Sequence, residues 1–255
     1  MKPIRHLFLV VLVVYLPMHS SAWGAVGHKL VAKIAFSQLS KAAKDSLAFY
    51  LEEITIEEAS VWMDEIKSDP ANDSLRPLHY ININKGDSYN PDSTHNIIGE
   101  LNTVIAELAH RNDFTKERIA FDLKVLIHLM GDLHQPLHIG YSTDRGGNDV
   151  KVFFSASTSN LHRVWDSNIV EEYVMFESKE WANTAKYSKE ELAKIKHLDI
   201  IGWMNESRSK LDGAYDFKGQ NISRQYIKSN EPIVEKQLLF GGLRLAKLLR
   251  EIFHA

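Results

Sequence analysis

The chain has 255 residues, 44% hydrophobic and 25% charged, with a formal net charge of -3, a globular composition that excludes disordered, collagenous and low-complexity chains. It contains no cysteine, so there is no disulfide, thiolate metal site or cysteine nucleophile, and any metal must be held by His, Asp, Glu or main-chain groups. The mild negative charge argues against a protein that binds nucleic acid by charge alone.

In chain order, the first 22 residues stand apart. Lys2 and Arg5 precede a 12-residue stretch, Leu7 to Met18, that is apolar except for Tyr15 and Pro17, and Ser20, Ser21 and Ala22 follow. That layout predicts a secretory signal peptide cleaved after Ala22. The run is short for a membrane span, which needs about 20 residues, and no second such run follows. The expected product is a secreted or periplasmic monomer, 23–255, with no membrane attachment.

Helical spacing dominates the remainder. Val26, Leu30 and Ile34 predict a helix over 26–36, and Ser40 caps a second through Leu47 and Tyr50. Asn84 to Asp92 reads as a loop. Ile97, Leu101, Val104, Ile105 and Leu108 mark a helix closing near Asn112, and Ile119, Leu123, Leu126, Ile127 and Met130 mark another that Pro136 should end. Further helices are expected over 161–173, 189–195, 199–212 and 231–252. The one strand signal, Val150 to Phe154 after Gly146-Gly147-Asn148, allows a short hairpin near 140–155. These signals describe a single all-α domain.

Four histidines lie between His128 and His162. His128 and Asp132 are four residues apart on a helix, about 40° from overlap, so both can face one ion. His162 and Asp166 repeat the spacing. A lone His–Asp pair is usually a surface interaction worth a few tenths of a kcal/mol. Here two such pairs, an apolar setting costly for an unpartnered imidazole, and His138 after a proline break together point to metal. Imidazole and carboxylate without sulfur suit zinc, although iron and manganese accept similar ligands.

Several blocks then carry a family resemblance: Trp23-Gly-Ala-Val-Gly-His28, Val61-Trp-Met-Asp64-Glu-Ile-Lys67, Leu78-His79-Tyr80-Ile-Asn82, His128-Leu-Met-Gly-Asp132-Leu-His134-Gln-Pro-Leu-His138, Arg145-Gly-Gly-Asn148-Asp, His162-Arg-Val-Trp-Asp166 and Trp203-Met-Asn-Glu-Ser207. In order and content the chain resembles the zinc-dependent single-strand nucleases and 3′-nucleotidases. The resemblance implies a mostly helical fold with three zinc ions. Asp64, His79, His128 and Asp132 would hold the first, and His138, His162 and Asp166 the second. The Trp23 amino nitrogen and carbonyl oxygen, His28 and a bridging Asp132 would hold the third. His134 falls outside the ligand set, behind it or facing substrate. The third site agrees with the predicted cleavage, since only a chain cut before Trp23 exposes an α-amine, whose pKa of about 7.7–8.0 lets a metal displace its proton.

The implied reaction is hydrolysis of single-stranded DNA or RNA to 5′-phosphorylated products, and removal of 3′-phosphate from 3′-nucleotides, by a water ionised between zinc ions and attacking phosphorus in line. Asp64 would orient that water and Lys67 neutralise the transition state, although on residues alone Lys67 is a solvated helix lysine. Tyr80 would stack an unpaired base, unless it is a core tyrosine. Asn82 stands where an Asp contacting the base edge is usual, and Asn148 is the other pocket residue or simply a turn residue. The rivals are a zinc phospholipase C and a non-catalytic zinc-binding relative.

Overall fold

Most of the longer helices begin where a side chain accepts from the orphan amides of the first turn, the first helix, which follows Gly24, being the exception. The computed structural model describes residues 23–174 and 182–254, so the leader expected over 1–22 lies outside the described residues. Helix α1 (Ala25–Ser37) is followed by α2 (Lys41–Leu51), where Ser40 accepts from Ala43 N. A capping box of Thr55 and Glu58 opens the short α3 (Ile56–Ala59), and α4 (Trp62–Ile66) follows. A 3₁₀ segment, Pro70–His79, leads into an extended stretch before α5 (Ile97–Ala109), capped by Asn96. Thr115 caps α6 (Lys116–Asp132).

Helix α6 is the hub, packed against α1, α2, α3, α4, α5 and α11 (Arg224–Phe253). Its residues from Val125 to Asp132 are all buried, the pattern of a helix enclosed on every side. Two polar residues, His128 and Asp132, are thereby carried into the interior. Helix α1 lies along α11 so closely that a Cβ on Gly242 would come within 2.5 Å of Ile34.

The all-α class holds, with a single two-stranded sheet among the described residues. The hairpin pairs β1 (Lys151–Phe154) with β2 (Ser157–Asn160), Lys151 opposite Asn160. It therefore returns after the predicted strand, not within 140–155. Ser155 and Ala156 make the turn with positive φ of 48° and 64°, a geometry usually signalled by Asn or Gly, neither of which is present at the turn.

Other boundaries also shift. Helix α6 stops at Asp132 rather than running to Pro136, because His134 N and Gln135 N bond Gly131 O and Asp132 O in tightened turns. Pro136 instead opens a 3₁₀ turn, Pro136–Ile139. The 161–173 helix is α7 (Leu161–Arg163) continuing into wide π turns over Val164–Asn168 and Val170–Val174. Helix α8 (Lys189–Ile195) lies where expected, whereas 199–212 divides into α9 (Ile200–Arg208) and α10 (Leu211–Ala214). Helix α11 starts seven residues before position 231, at the Ser223 cap, and passes through Pro232. A proline at its ninth position looks like a start, since proline favours first turns.

Candidate metal centre and cleft

Asp132 is the centre of the site. Its carboxylate lies 3.2 Å from His128 Nε2, 3.1 Å from His79 Nδ1 and 3.3 Å from His28 Nε2, and is itself fully buried. Helix α1 brings His28 against α6 at Gly131, where a Cβ would lie 2.5 Å from the imidazole Nδ1, so the approach requires glycine. The His28 and His128 rings stack at 4.0 Å. Helix α4 supplies Asp64 and Lys67 follows it, the end of the 3₁₀ segment supplies His79, and the Pro136 turn supplies His138. In the π-turned helix His162 Nε2 lies 3.1 Å from Asp166.

Donor atoms gather into three groups, each within 4.8 Å: His28, Asp64 and His128; His79, His128 and Asp132; and His138, His162 and Asp166. Every predicted side-chain ligand falls in one of them. Trp23 is also near, its side chain fully buried and packed on Gly27, while the next residue, Gly24, donates from its amide to Asp166 O at 2.7 Å.

Ring orientation reveals what the groups are built to do. His128 Nδ1 faces Ser60 O at 2.7 Å, His138 Nδ1 faces His79 O at 2.8 Å, and His162 Nδ1 faces Gly146 O at 2.7 Å. A carbonyl only accepts, so each Nδ1 carries the proton and each Nε2 lone pair turns inward. There the lone pairs meet carboxylates, which repel them unless a proton or a cation lies between. His28, His79 Nε2, His138 Nε2 and one oxygen each of Asp64, Asp132 and Asp166 are buried without a hydrogen-bond partner. Such a donor set of imidazole and carboxylate is the kind a divalent cation satisfies.

Burial disfavours charge on all these groups, and neighbours decide the balance. Burial opposes ionisation of Asp132, but His128 and His138 outweigh it and hold the carboxyl well below its usual range. Asp64 is lowered in the same way, with His128, His28 and Lys67 overcoming burial. Burial lowers His28 and His138. His128 and His162 are raised despite burial by Asp132 and Asp166 respectively.

The groups open on a cleft of about 340 Å³ lined by Asp64, Lys67, Arg76, His79, Tyr80, Asn82, Leu137, His138, Arg145, Asn148 and His162. Lys67 Nζ pairs with Asp64 Oδ1 at 2.8 Å, so it is no solvated helix lysine. Tyr80 and Asn82 reach the cleft because residues 80–83 are extended, which sends Ile81 and Ile83 inward and alternate residues outward. Ile81 N and Ile83 N bond His138 O and Gly140 O, fixing the segment to the Pro136 turn. Tyr80 is 42% exposed, which excludes a core role. Asn148 Nδ2 donates to Arg145 O, so it serves the turn while lining the cleft.

Sequence reading missed several supports. Gln135 Nε2 donates to Asp166 Oδ1, and Gln135 Oε1 accepts from Leu137 N. Arg208 donates to four carbonyls, of Ile83, Asn84, Ile139 and Gly140, at 2.8–3.1 Å. Arg76 and Arg145 add positive charge to the cleft rim. His134 does not face the cleft: buried, it meets Met130 O through Nδ1 and Arg244 through Nε2, and Arg244 in turn pairs with Glu206. Its role is to join α6 to α11.

Comparison with known proteins places this geometry. Endonuclease 2 of Arabidopsis thaliana is 29% identical over 97% of this chain and 96% of its own. Endonuclease 3 of the same plant is 30% identical over 91% and 90%. Nuclease P1 of Penicillium citrinum is 26% identical over 90% of this chain and 97% of its own. A family model described as S1/P1 Nuclease matches residues 23–254. The match takes in the three donor groups, the cleft and the whole described helical domain, and the chain belongs to the S1/P1 nuclease family.

Proposed function

We propose that the chain is an exported, three-zinc phosphodiesterase that cleaves single-stranded DNA and RNA to 5′-phosphorylated products and removes 3′-phosphate from 3′-nucleotides. The observation that carries the reading is the inward turn of three Nε2 lone pairs toward Asp132 and Asp166, with the opposite nitrogen of each ring committed to a carbonyl. Asp64, His79, His128 and Asp132 would hold one ion, His138, His162 and Asp166 a second, and His28, Asp132 and the Trp23 main chain a third. The Trp23 contribution rests on cleavage after Ala22. The closeness of Trp23 to Asp166, through Gly24, supports it.

Bound divalent cations supply an acidified water and neutralise phosphoryl charge. The rest falls to side chains. Asp64, one oxygen on Lys67 and the other unpartnered, positions the attacking water. Lys67 faces the cleft from the same place and counters charge gathering on the phosphoryl oxygens. Tyr80 presents an exposed ring on which a base stacks, a contact worth roughly 1–3 kcal/mol that only an unpaired base makes. Asn82 and Asn148 offer both donors and acceptors to base edges.

The test is zinc content together with turnover of single-stranded DNA, RNA, 3′-AMP and phosphatidylcholine, before and after EDTA and on zinc restoration. Nucleotide turnover that EDTA abolishes and zinc restores is expected. Lipid turnover without nucleotide turnover, or full zinc occupancy without hydrolysis of any phosphoester, would overturn the proposal.

A further inference from the structure

Apart from the cleft, one groove concentrates positive charge in a chain whose net charge is negative. Helix α8 contributes Lys189, Leu192 and Ala193, spaced i, i+3 and i+4 on one face, and its C-cap contributes Lys196. Helix α11 contributes Lys247, Arg250 and Glu251 with the same spacing, and its left-handed C-cap contributes His254. Two helical stripes thus form the groove walls, and the segment after α8 adds His197 and Leu198. Four permanent cations face one carboxylate, and that carboxylate, Glu251, is already paired with Lys247 at 2.9 Å. The acids of α8 point elsewhere. Glu190 is not in the lining, and Glu191 closes the Ser188 capping box.

We infer that this groove binds the phosphodiester backbone of single-stranded nucleic acid, holding a stretch of the polymer apart from the bond cut in the cleft. Charge complementarity selects the occupant. Lys196 and Arg250 are close enough to repel: burial, then Arg250, lowers the Lys196 ammonium, and an anion between the two relieves both. No Phe, Tyr or Trp ring lines the groove among the described residues, so it offers contacts to phosphates more than stacking for bases, and its grip is independent of sequence. No residue is shared with the cleft, so the groove's side chains can be changed without altering those that line the cleft.

The inference rests on the nuclease reading, and the experiment separates the two. The zinc-loaded wild type and the triple variant Lys189→Gln, Lys196→Gln, Arg250→Gln are compared on a long single strand and on a dinucleotide across a salt series. Each lost phosphate contact removes about 0.7 from the log–log salt slope on single strands. The variant should therefore raise KM on the long strand several-fold, with a slope smaller by about 2 and kcat and dinucleotide turnover unchanged. Equal KM and slope on the long strand would overturn the inference while leaving the nuclease intact. Because Lys196 and Arg250 are half-buried, Lys189→Glu alone, at an exposed position, serves as the second variant and should shift KM in the same direction. Anisotropy with a phosphorothioate strand reads the groove without catalysis: weaker binding by both variants supports the inference even where no strand is cut. Undiminished strand binding with loss of binding to phosphatidylserine vesicles would assign the groove to a membrane surface instead.

Discussion

The side-chain amide of Gln135 donates to one oxygen of Asp166, while its own carbonyl accepts from Leu137 N. One residue therefore both aims the carboxylate of the His138 group and shapes the turn that carries His138. Supports of this kind typically change metal affinity by 10–100-fold. Gln135→Leu is expected to lower zinc affinity at the His138, His162 and Asp166 group by about that factor and leave the Asp132 groups filled. Competition with a chelator of known affinity checks it, and three equally tight zincs in the variant would refute it.

Arg208 binds two segments at once, its guanidinium spanning the carbonyls of residues 83–84 and 139–140. Those segments carry Asn82 and His138 into the cleft. Leaving four carbonyls without these donors should cost Arg208→Ala about 2–3 kcal/mol of stability, read by denaturant unfolding. Displacing Asn82, proposed above to meet base edges, should raise KM, and displacing His138 from its donor group should lower kcat and zinc content together. Arg208→Lys should not rescue, since an ammonium lacks the planar fork that reaches both segments.

The contrast between these supports and the ligands explains what could be read from the chain alone. His128 and Asp132, or His162 and Asp166, announce themselves because helical spacing puts each pair on one face, and for His128 an apolar stripe declares burial as well. Gln135 and Arg208 have no such periodicity. Their partners are a carboxylate 31 positions away and carbonyls up to 125 away, and a glutamine or arginine looks the same in sequence whether it is buried or solvated. The boundaries that moved have local causes of the same type. Ser155 and Ala156 adopt positive φ without glycine, and Pro232 lies inside a helix that tertiary packing sustains. Even the π turns around Asp166 leave the four-residue spacing unchanged, so the pairing with His162 was legible although the helix type was not.

Asp122 on α6 is buried beside Arg118 at 3.0 Å, near Glu107 and Glu100. Burial pushes its carboxyl up to about 7, with Arg118 opposing and Glu107 adding to the rise. The folded state thus holds this proton more tightly than the unfolded chain, where the value is about 3.9. Stability from this group is full below about pH 4 and is lost as pH rises toward 7. Asp122→Asn keeps an amide in place without the titration. Its stability relative to wild type should rise as pH climbs through that window. Denaturant unfolding at pH 5, 6, 7 and 8 measures the gap, and a gap that does not widen with pH contradicts the assignment.

The two carboxylates at the core of the site should differ in how many ions they control. Asp132 approaches His28, His79 and His128, which belong to different donor groups, and at 3.5 Å His138 as well, whereas the histidines beside Asp166 among the described residues are His138 and His162, at 3.8 and 3.1 Å. Removing a ligand shared by two ions should release both, and removing an unshared ligand should release one. Zinc analysis of folded protein purified at limiting zinc is therefore expected to show two ions fewer in Asp132→Ala and one fewer in Asp166→Ala. Circular dichroism establishes that the helices persist, since α6 keeps its apolar contacts on every side. Activity should fall at least a hundredfold in both, so the ion count and not the rate separates them. Three zincs retained in Asp132→Ala would show that this residue does not bridge, and equal losses in the two variants would show that its contacts with His28 and His79 bind no second ion.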